Sequence, residues 1–267
     1  MSPLFPRTLL LRVVTAVALV ASAAPSRAAV LTTVPATPGS PAVPVYVARP
    51  AGAGPFPAVL ILHGCGGING YSVVTADRLA LRGYVGVALD SLAPDIYEDE
   101  CTDRGGSSRE AAAARATLAW LRAQPFVARD RLAVIGFSMG GIATLDLVDP
   151  KSPAPPPAGL RAAVTYYPQC AGRDGRVTVP LAIFIGDADT VVSPPACTAM
   201  ANAGKAAGKP IEITVYPGAT HGFQVPGPDR DFFGQTLRYD PAAAADAAQK
   251  TATFLDTYLA ASSAPQR

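Results

Sequence analysis

Leu132-Ala-Val-Ile135 followed by Gly136-Phe137-Ser138-Met139-Gly140-Gly141 and then Ile142-Ala-Thr-Leu-Asp-Leu-Val148 is the stretch on which the fold is read. A short apolar run leads into a glycine-flanked serine, and a helix-like segment follows. Gly-x-Ser-x-Gly alone is a weak signal in a chain with 24 glycines among 267 residues, so the setting carries the weight. A serine nucleophile must stand on a strained strand-to-helix turn with its hydroxyl exposed, and that turn needs neighbours without Cβ bulk. Gly136, Gly140 and Gly141 meet the demand. The plainer reading is a glycine-rich connection with Ser138 as a helix N-cap.

Outward from this point the chain alternates strand-like and helix-like segments. Residues 57–62 form a continuous apolar run bounded by glycine and proline, the pattern of a strand buried on both faces. Residues 72–82 read as a helix that stops at Gly83, and 84–89 as the next strand. Ser107-Ser-Arg-Glu110 has the spacing of a capping box opening an alanine-rich helix to Gln124, with Leu118, Trp120 and Leu121 for its buried face. Strand 131–136 then delivers Ser138. Further strands are expected at 162–167, 181–185 and 211–216, with helices between them and a last helix over 241–260. Ser193-Pro194 and Asp240-Pro241 each place a capping side chain before a proline. The alternation implies an α/β fold with a mainly parallel sheet, helices on both faces and ligands bound beyond the carboxyl ends of the strands.

The polar groups worth naming fall at those ends. His63-Gly-Cys-Gly-Gly67 follows strand 57–62, where glycines let backbone N–H groups approach a developing oxyanion. The amides of Cys65 and Met139 are the candidate donors. Gly186-Asp-Ala-Asp189 follows strand 181–185, and Asp189 is the candidate acid because Asp187 sits closer to the strand and is better placed to hold the loop. A paired-Asp metal site finds no nearby His or Glu to complete it, so no metal is expected. His221 lies in Ala-Thr-His-Gly-Phe223 after the last strand. The chain has two histidines, and with His63 tied to the glycine-rich loop, His221 is the candidate base.

The first 28 residues read as a secretory signal. Arg7 and Arg12 precede the apolar stretch Val13–Val20, and small residues at 21–23 and 26–28 suit cleavage after Ala23 or Ala28. The apolar run falls short of the roughly 20 residues that span a bilayer. Removing residues 1–28 takes away three arginines and no acid, turning a formal charge of +2 into −1. With no basic patch left, nucleic acid is not expected as a partner, nor is stable membrane association after cleavage. The expected organisation is a proline-rich lead-in over 29–42, one domain over 43–261 and a tail over 262–267. Export to the periplasm or the outside of a bacterial cell makes Cys65, Cys101, Cys170 and Cys197 disulfide candidates, and four cysteines allow three pairings.

The motifs Gly-Phe-Ser-Met-Gly-Gly at 136–141, Gly-x-x-Asp at 186–189 and Tyr-Pro-Gly-Ala-Thr-His-Gly-Phe at 216–223 resemble those of the dienelactone hydrolase family of α/β-hydrolases. The order Ser138, Asp189, His221 is the order α/β-hydrolases use. The likeness runs from about residue 43 to 260. It implies about eight strands, a Ser138–His221–Asp189 triad, an oxyanion hole from Cys65 and Met139, no cofactor, and a small-molecule ester or lactone as substrate. The chain differs from founding members in two places. They carry a cysteine nucleophile where Ser138 stands, and an arginine four residues after the catalytic histidine, where this chain has Val225. The loops 63–67 and Tyr166-Tyr-Pro-Gln-Cys170 resemble a subgroup of bacterial hydrolases, which implies disulfides Cys65–Cys101 and Cys170–Cys197.

These readings lead to an exported serine esterase. Polyester or cutinase-like activity, a small serine peptidase, and a catalytically silent binding protein on the same scaffold are the competing expectations. Residues 90–106 are expected to form an acidic loop over the site, with Tyr71, Tyr97, Phe223 and Phe232 lining a pocket.

Overall fold

A computed structural model describes residues 29–93 and 105–260. The expected signal segment, the C-terminal tail, and residues 94–104 with Tyr97 and Cys101 lie outside the described residues. The strands are β1 (Ala29–Val34), β2 (Val43–Ala48), β3 (Phe56–Leu62), β4 (Val85–Leu89), β5 (Val127–Phe137), β6 (Leu160–Tyr166), β7 (Leu181–Gly186) and β8 (Ile211–Tyr216). They form one eight-stranded sheet in the order β1-β2-β4-β3-β5-β6-β7-β8. From β4 onward every pairing is parallel; β1–β2 and β2–β4 are antiparallel. The helices are α1 (Gly70–Leu81), α2 (Gly106–Arg122), α3 (Met139–Val148), α4 (Pro194–Ala206) and α5 (Pro241–Leu259). A two-stranded hairpin, β9 (Arg230–Phe232) with β10 (Gln235–Leu237), stands apart from the sheet.

Successive residues of a strand point to opposite faces, and β5 shows where the helices lie. Ile135 and Phe137 border a groove of about 410 Å³ between α1 and α5. Gly136 between them faces the Gly140 carbonyl and Thr144 of α3, so α3 covers the other face. Sandwiched this way, Leu60, Ile61, Leu132, Val134, Val164 and Ile183 lose all or nearly all contact with water, each contributing about 2 kcal/mol of apolar transfer. The continuous apolar runs of the sequence follow from that double cover.

Two caps act as the sequence expects. The Ser193 hydroxyl accepts from Ala196 N at 3.3 Å, and Asp240 Oδ1 accepts from Ala242 N and Ala243 N at 3.0 Å each. Two readings need correction. Residues 29–34 of the proline-rich lead-in form β1, an edge strand whose Leu31 is 78% exposed while Val34 is buried; its sequence shows no alternation that would announce it. The Ser107–Glu110 capping box does not form. α2 begins at Gly106 behind Gly105 with no side-chain cap hydrogen bond, and Glu110 is fully buried, 3.7 Å from His63 Nδ1.

Cys170, in the loop after β6, is disulfide-bonded to Cys197 in the first turn of α4. No cysteine among the described residues is free, while Cys101, the expected partner of Cys65, lies outside them. The Cys170–Cys197 bridge closes a sequence separation of 27 residues. Replacing both cysteines by alanine is therefore expected to cost about 3.5 kcal/mol through the freed unfolded chain. Urea denaturation of the double variant measures this; a loss below about 1 kcal/mol would show the bridge to be incidental.

Candidate active site

The carboxyl ends of β3, β5, β7 and β8 bring the singled-out residues together. Ser138 sits between β5 and α3 with φ 53° and ψ −112°, a conformation a residue with a Cβ adopts at a cost of about 1–3 kcal/mol. Surrounding bonds enforce it. Ser138 N donates to Tyr166 O at 3.0 Å, Ile142 N donates to Ser138 O at 3.0 Å, and Gly140 N donates to His63 O at 3.0 Å. The last bond ties the elbow to the loop after β3.

Ser138 Oγ lies 2.9 Å from His221 Nε2, and His221 Nδ1 lies 2.8 Å from Asp189 Oδ2. A carboxylate only accepts, so Nδ1 carries the imidazole proton and Nε2 presents a lone pair to the serine hydroxyl. The second oxygen, Asp189 Oδ1, accepts from Val191 N at 2.9 Å and Val192 N at 3.0 Å, which fixes the carboxylate. Asp187 holds the loop instead: its Oδ1 accepts from Gly218 N at 2.6 Å. Both Asp189 and His221 are 5% exposed, so their mutual attraction is weakly screened.

His63 is buried beneath the glycine-rich loop. Ser91 N donates to its Nε2 at 3.2 Å, which makes Nε2 an acceptor and leaves Nδ1 as the donor, 2.6 Å from Gly64 O. Gly67 N donates to the same carbonyl at 3.0 Å. The C=O of Gly64 and the N–H of Cys65 belong to one planar peptide and point in opposite directions. Gripping the carbonyl therefore fixes where the Cys65 amide aims. Met139 N, at the first turn of α3, is one of the amides that a helix N-terminus leaves without an intrahelical acceptor.

Sequence reasoning missed the support under His221. The Tyr167 ring lies 4.3 Å from the imidazole, centroid to centroid, and its hydroxyl donates to Gln224 Oε1 at 2.8 Å. Burial pushes the Tyr167 hydroxyl well above its usual range, so it stays protonated as a donor. Tyr167 has φ 40°, another non-glycine residue held left-handed beside the site. Its place at the carboxyl end of the expected strand 162–167 was the one available signal.

The pocket residues divide. Tyr71, on the first turn of α1, stands edge-on to Phe137 at 5.5 Å and borders the groove between α1 and α5. Phe223 points into the core. It is fully buried, with its ring 5.2 Å from Tyr216 and 5.9 Å from Tyr167. Gly222, at φ +71°, reverses the chain after His221 and drops Phe223 into the core. Tyr97 lies outside the described residues.

The sequence profile of the dienelactone hydrolase family matches residues 43–259. A Bradyrhizobium protein described as "Probable 2-oxo-3-(5-oxofuran-2-ylidene)propanoate lactonase" is 26% identical over 239 residues, covering 80% of this chain and 89% of the relative. Among solved structures, a dienelactone hydrolase-like promiscuous phosphotriesterase from metagenomic libraries superposes with a TM-score of 0.68 at 23% identity, covering 86% of this chain and 99% of that one. A thermophilic esterase of Thermogutta terrifontis gives 0.66 at 22% identity, covering 88% and 95%. At these identities the structural likenesses establish the fold.

Proposed function

The chain belongs to the dienelactone hydrolase family of hydrolases, and from that premise we propose that it cleaves carboxylic esters or lactones through a serine acyl-enzyme. The reading is carried by one observation, the unbroken hydrogen-bond chain from Ser138 through His221 to Asp189. Ser138 Oγ attacks the carbonyl carbon while its proton passes to His221 Nε2. Asp189 holds the imidazole in the competent tautomer and stabilises the imidazolium. The carbonyl oxygen gains negative charge and is met by the amides of Cys65 and Met139. As the tetrahedral intermediate collapses, the C–O bond to the alcohol breaks and Nε2 gives its proton to the departing oxygen. Water then repeats the sequence on the acyl-serine, giving the acid and free Ser138. For a lactone the alcohol remains tethered until that second step.

Ser138 in place of cysteine supports general-base activation, because a hydroxyl, unlike a thiol, has no thiolate population near neutral pH. Val225 in place of arginine supports a substrate without the carboxylate that founding members hold. The N-terminal 28 residues, read as a signal, support a reaction outside the cytoplasm; no described helix is long and apolar enough to cross a membrane.

Asp189→Asn is expected to lower kcat on p-nitrophenyl acetate by about 10³-fold or more with KM little changed. The amide oxygen can still accept from Val191 and Val192, so the loop stays in place while the imidazole loses its orienting charge. A loss under about tenfold in steady-state rates would remove Asp189 from the mechanism.

A further inference from the structure

The hairpin of β9 and β10 is braced beside both the proposed acid and the proposed base. On one side the Thr190 hydroxyl, next to Asp189, donates to Gln235 Oε1. On the other, Arg238 N donates to Thr220 Oγ1 at 2.8 Å, next to His221. The Phe232 ring lies nearly parallel to the His221 imidazole, 15° off and 6.3 Å away. Phe233 meets Phe232 edge-on at 4.9 Å and is 64% exposed.

The turn that carries Phe233 has two residues. Phe232 pairs with Gln235, and between them Phe233 has φ 51° and Gly234 φ 77°. Two successive left-handed residues make the turn that Asn-Gly or Asp-Gly favours, because Asn and Asp tolerate φ > 0 and bulky residues do not. Phenylalanine here is unfavourable in backbone conformation and also leaves an aromatic ring in water. An element that violates local preference and exposes apolar surface beside a reactive site is where function is expected to account for the cost.

We infer that Phe233, with Phe232 behind it, forms an aromatic subsite for the alcohol portion of the substrate, selecting esters of apolar or aromatic alcohols. The inference rests on the proposed serine mechanism, and His221 fixes which side of the ester is meant. His221 must hand its proton to the leaving oxygen, so the alcohol lies against His221, and the hairpin's Phe232 ring lies alongside that same imidazole. Two rings set edge to face offer an incoming aromatic group the offset contacts that such rings prefer.

The test compares benzyl acetate with ethyl acetate, which share an acyl group, by titrating released acid. Phe233→Asn restores the preferred turn residue, so the variant is expected to be at least as stable as wild type in thermal unfolding. Its kcat/KM ratio of benzyl over ethyl acetate is expected to fall about tenfold, the size of one aromatic contact. A second pair, ethyl phenylacetate and ethyl acetate, varies the acyl side and should keep its ratio. Binding of benzyl acetate to the Ser138→Ala protein, followed by ligand-observed NMR, should weaken about tenfold when Phe233→Asn is added. An unchanged benzyl-to-ethyl ratio in an active variant, a change confined to the acyl pair, or unchanged binding overturns the subsite. If wild type hydrolyses none of these esters while benzyl acetate still binds in a Phe233-dependent way, the hydrolytic reading fails and the subsite stands.

Discussion

Ser138→Ala is expected to lower kcat/KM on simple acetate esters by about 10⁴-fold or more while leaving the fold intact. The loss is large because the nucleophile is the one group whose bond to carbon defines the acyl-enzyme; the oxyanion donors and His221 alone retain only the modest residual rate of a site that binds without attacking. The fold survives because alanine keeps a Cβ in the same strained conformation. The bonds that enforce it, from Ser138 N to Tyr166 O and from Ile142 N to Ser138 O, are backbone bonds. Thermal midpoints within about 2 °C of wild type, alongside the lost rate, are the expected pair of results. A matching loss of stability would instead make Ser138 a structural residue.

Gly140→Ala should damage stability and rate together. A Cβ at this position would stand 2.5 Å from His63 O and 2.6 Å from Leu62 O, both backbone atoms at the end of β3 that cannot swing aside. Either α3 withdraws from the sheet or the glycine-rich loop moves outward. Both movements stretch the 3.0 Å bond from Gly140 N to His63 O and displace the Cys65 amide from its proposed place at the oxyanion. The expected cost is about 3 kcal/mol in urea denaturation, the upper part of the usual overpacking range. The expected fall in kcat is about 10²-fold, comparable with removing one oxyanion donor. A variant with unaltered midpoint and rate would mean that elbow and loop are not in contact in solution.

The sequence is most legible where burial is uniform or a backbone rule is strict. Strands β3, β5, β6 and β7 carry apolar runs because helices cover both faces at the centre of the sheet, and Asp240 before Pro241 marks the start of α5 because the cap geometry admits few other pairs. Ser138, Asp189 and His221 are readable because each lies on the turn or loop that follows a strand, and the fold places strand ends together. What escapes is set by contacts far apart in sequence. Glu110 has the spacing of a capping box, yet it turns inward toward His63, 47 positions away. Tyr167 and Gln224 find each other only when β6 and the His221 loop are adjacent. Phe223 looks available beside His221 until the left-handed Gly222 sends it into the core. The hairpin is missed because its strands have three residues each and its turn is Phe-Gly instead of a recognisable turn pair. β1 is missed because Val30 and Leu31 lie exposed at the sheet edge and only Val34 is buried, leaving no alternation to read.

Labelling with a fluorophosphonate, followed by peptide mass spectrometry, tests the central claim most directly, because the reagent bonds only to a serine activated by a neighbouring base. The account predicts one adduct per chain, on the peptide containing Ser138, and none on the Ser138→Ala protein. An unmodified wild-type chain, or an adduct at another residue that persists in Ser138→Ala, would contradict it.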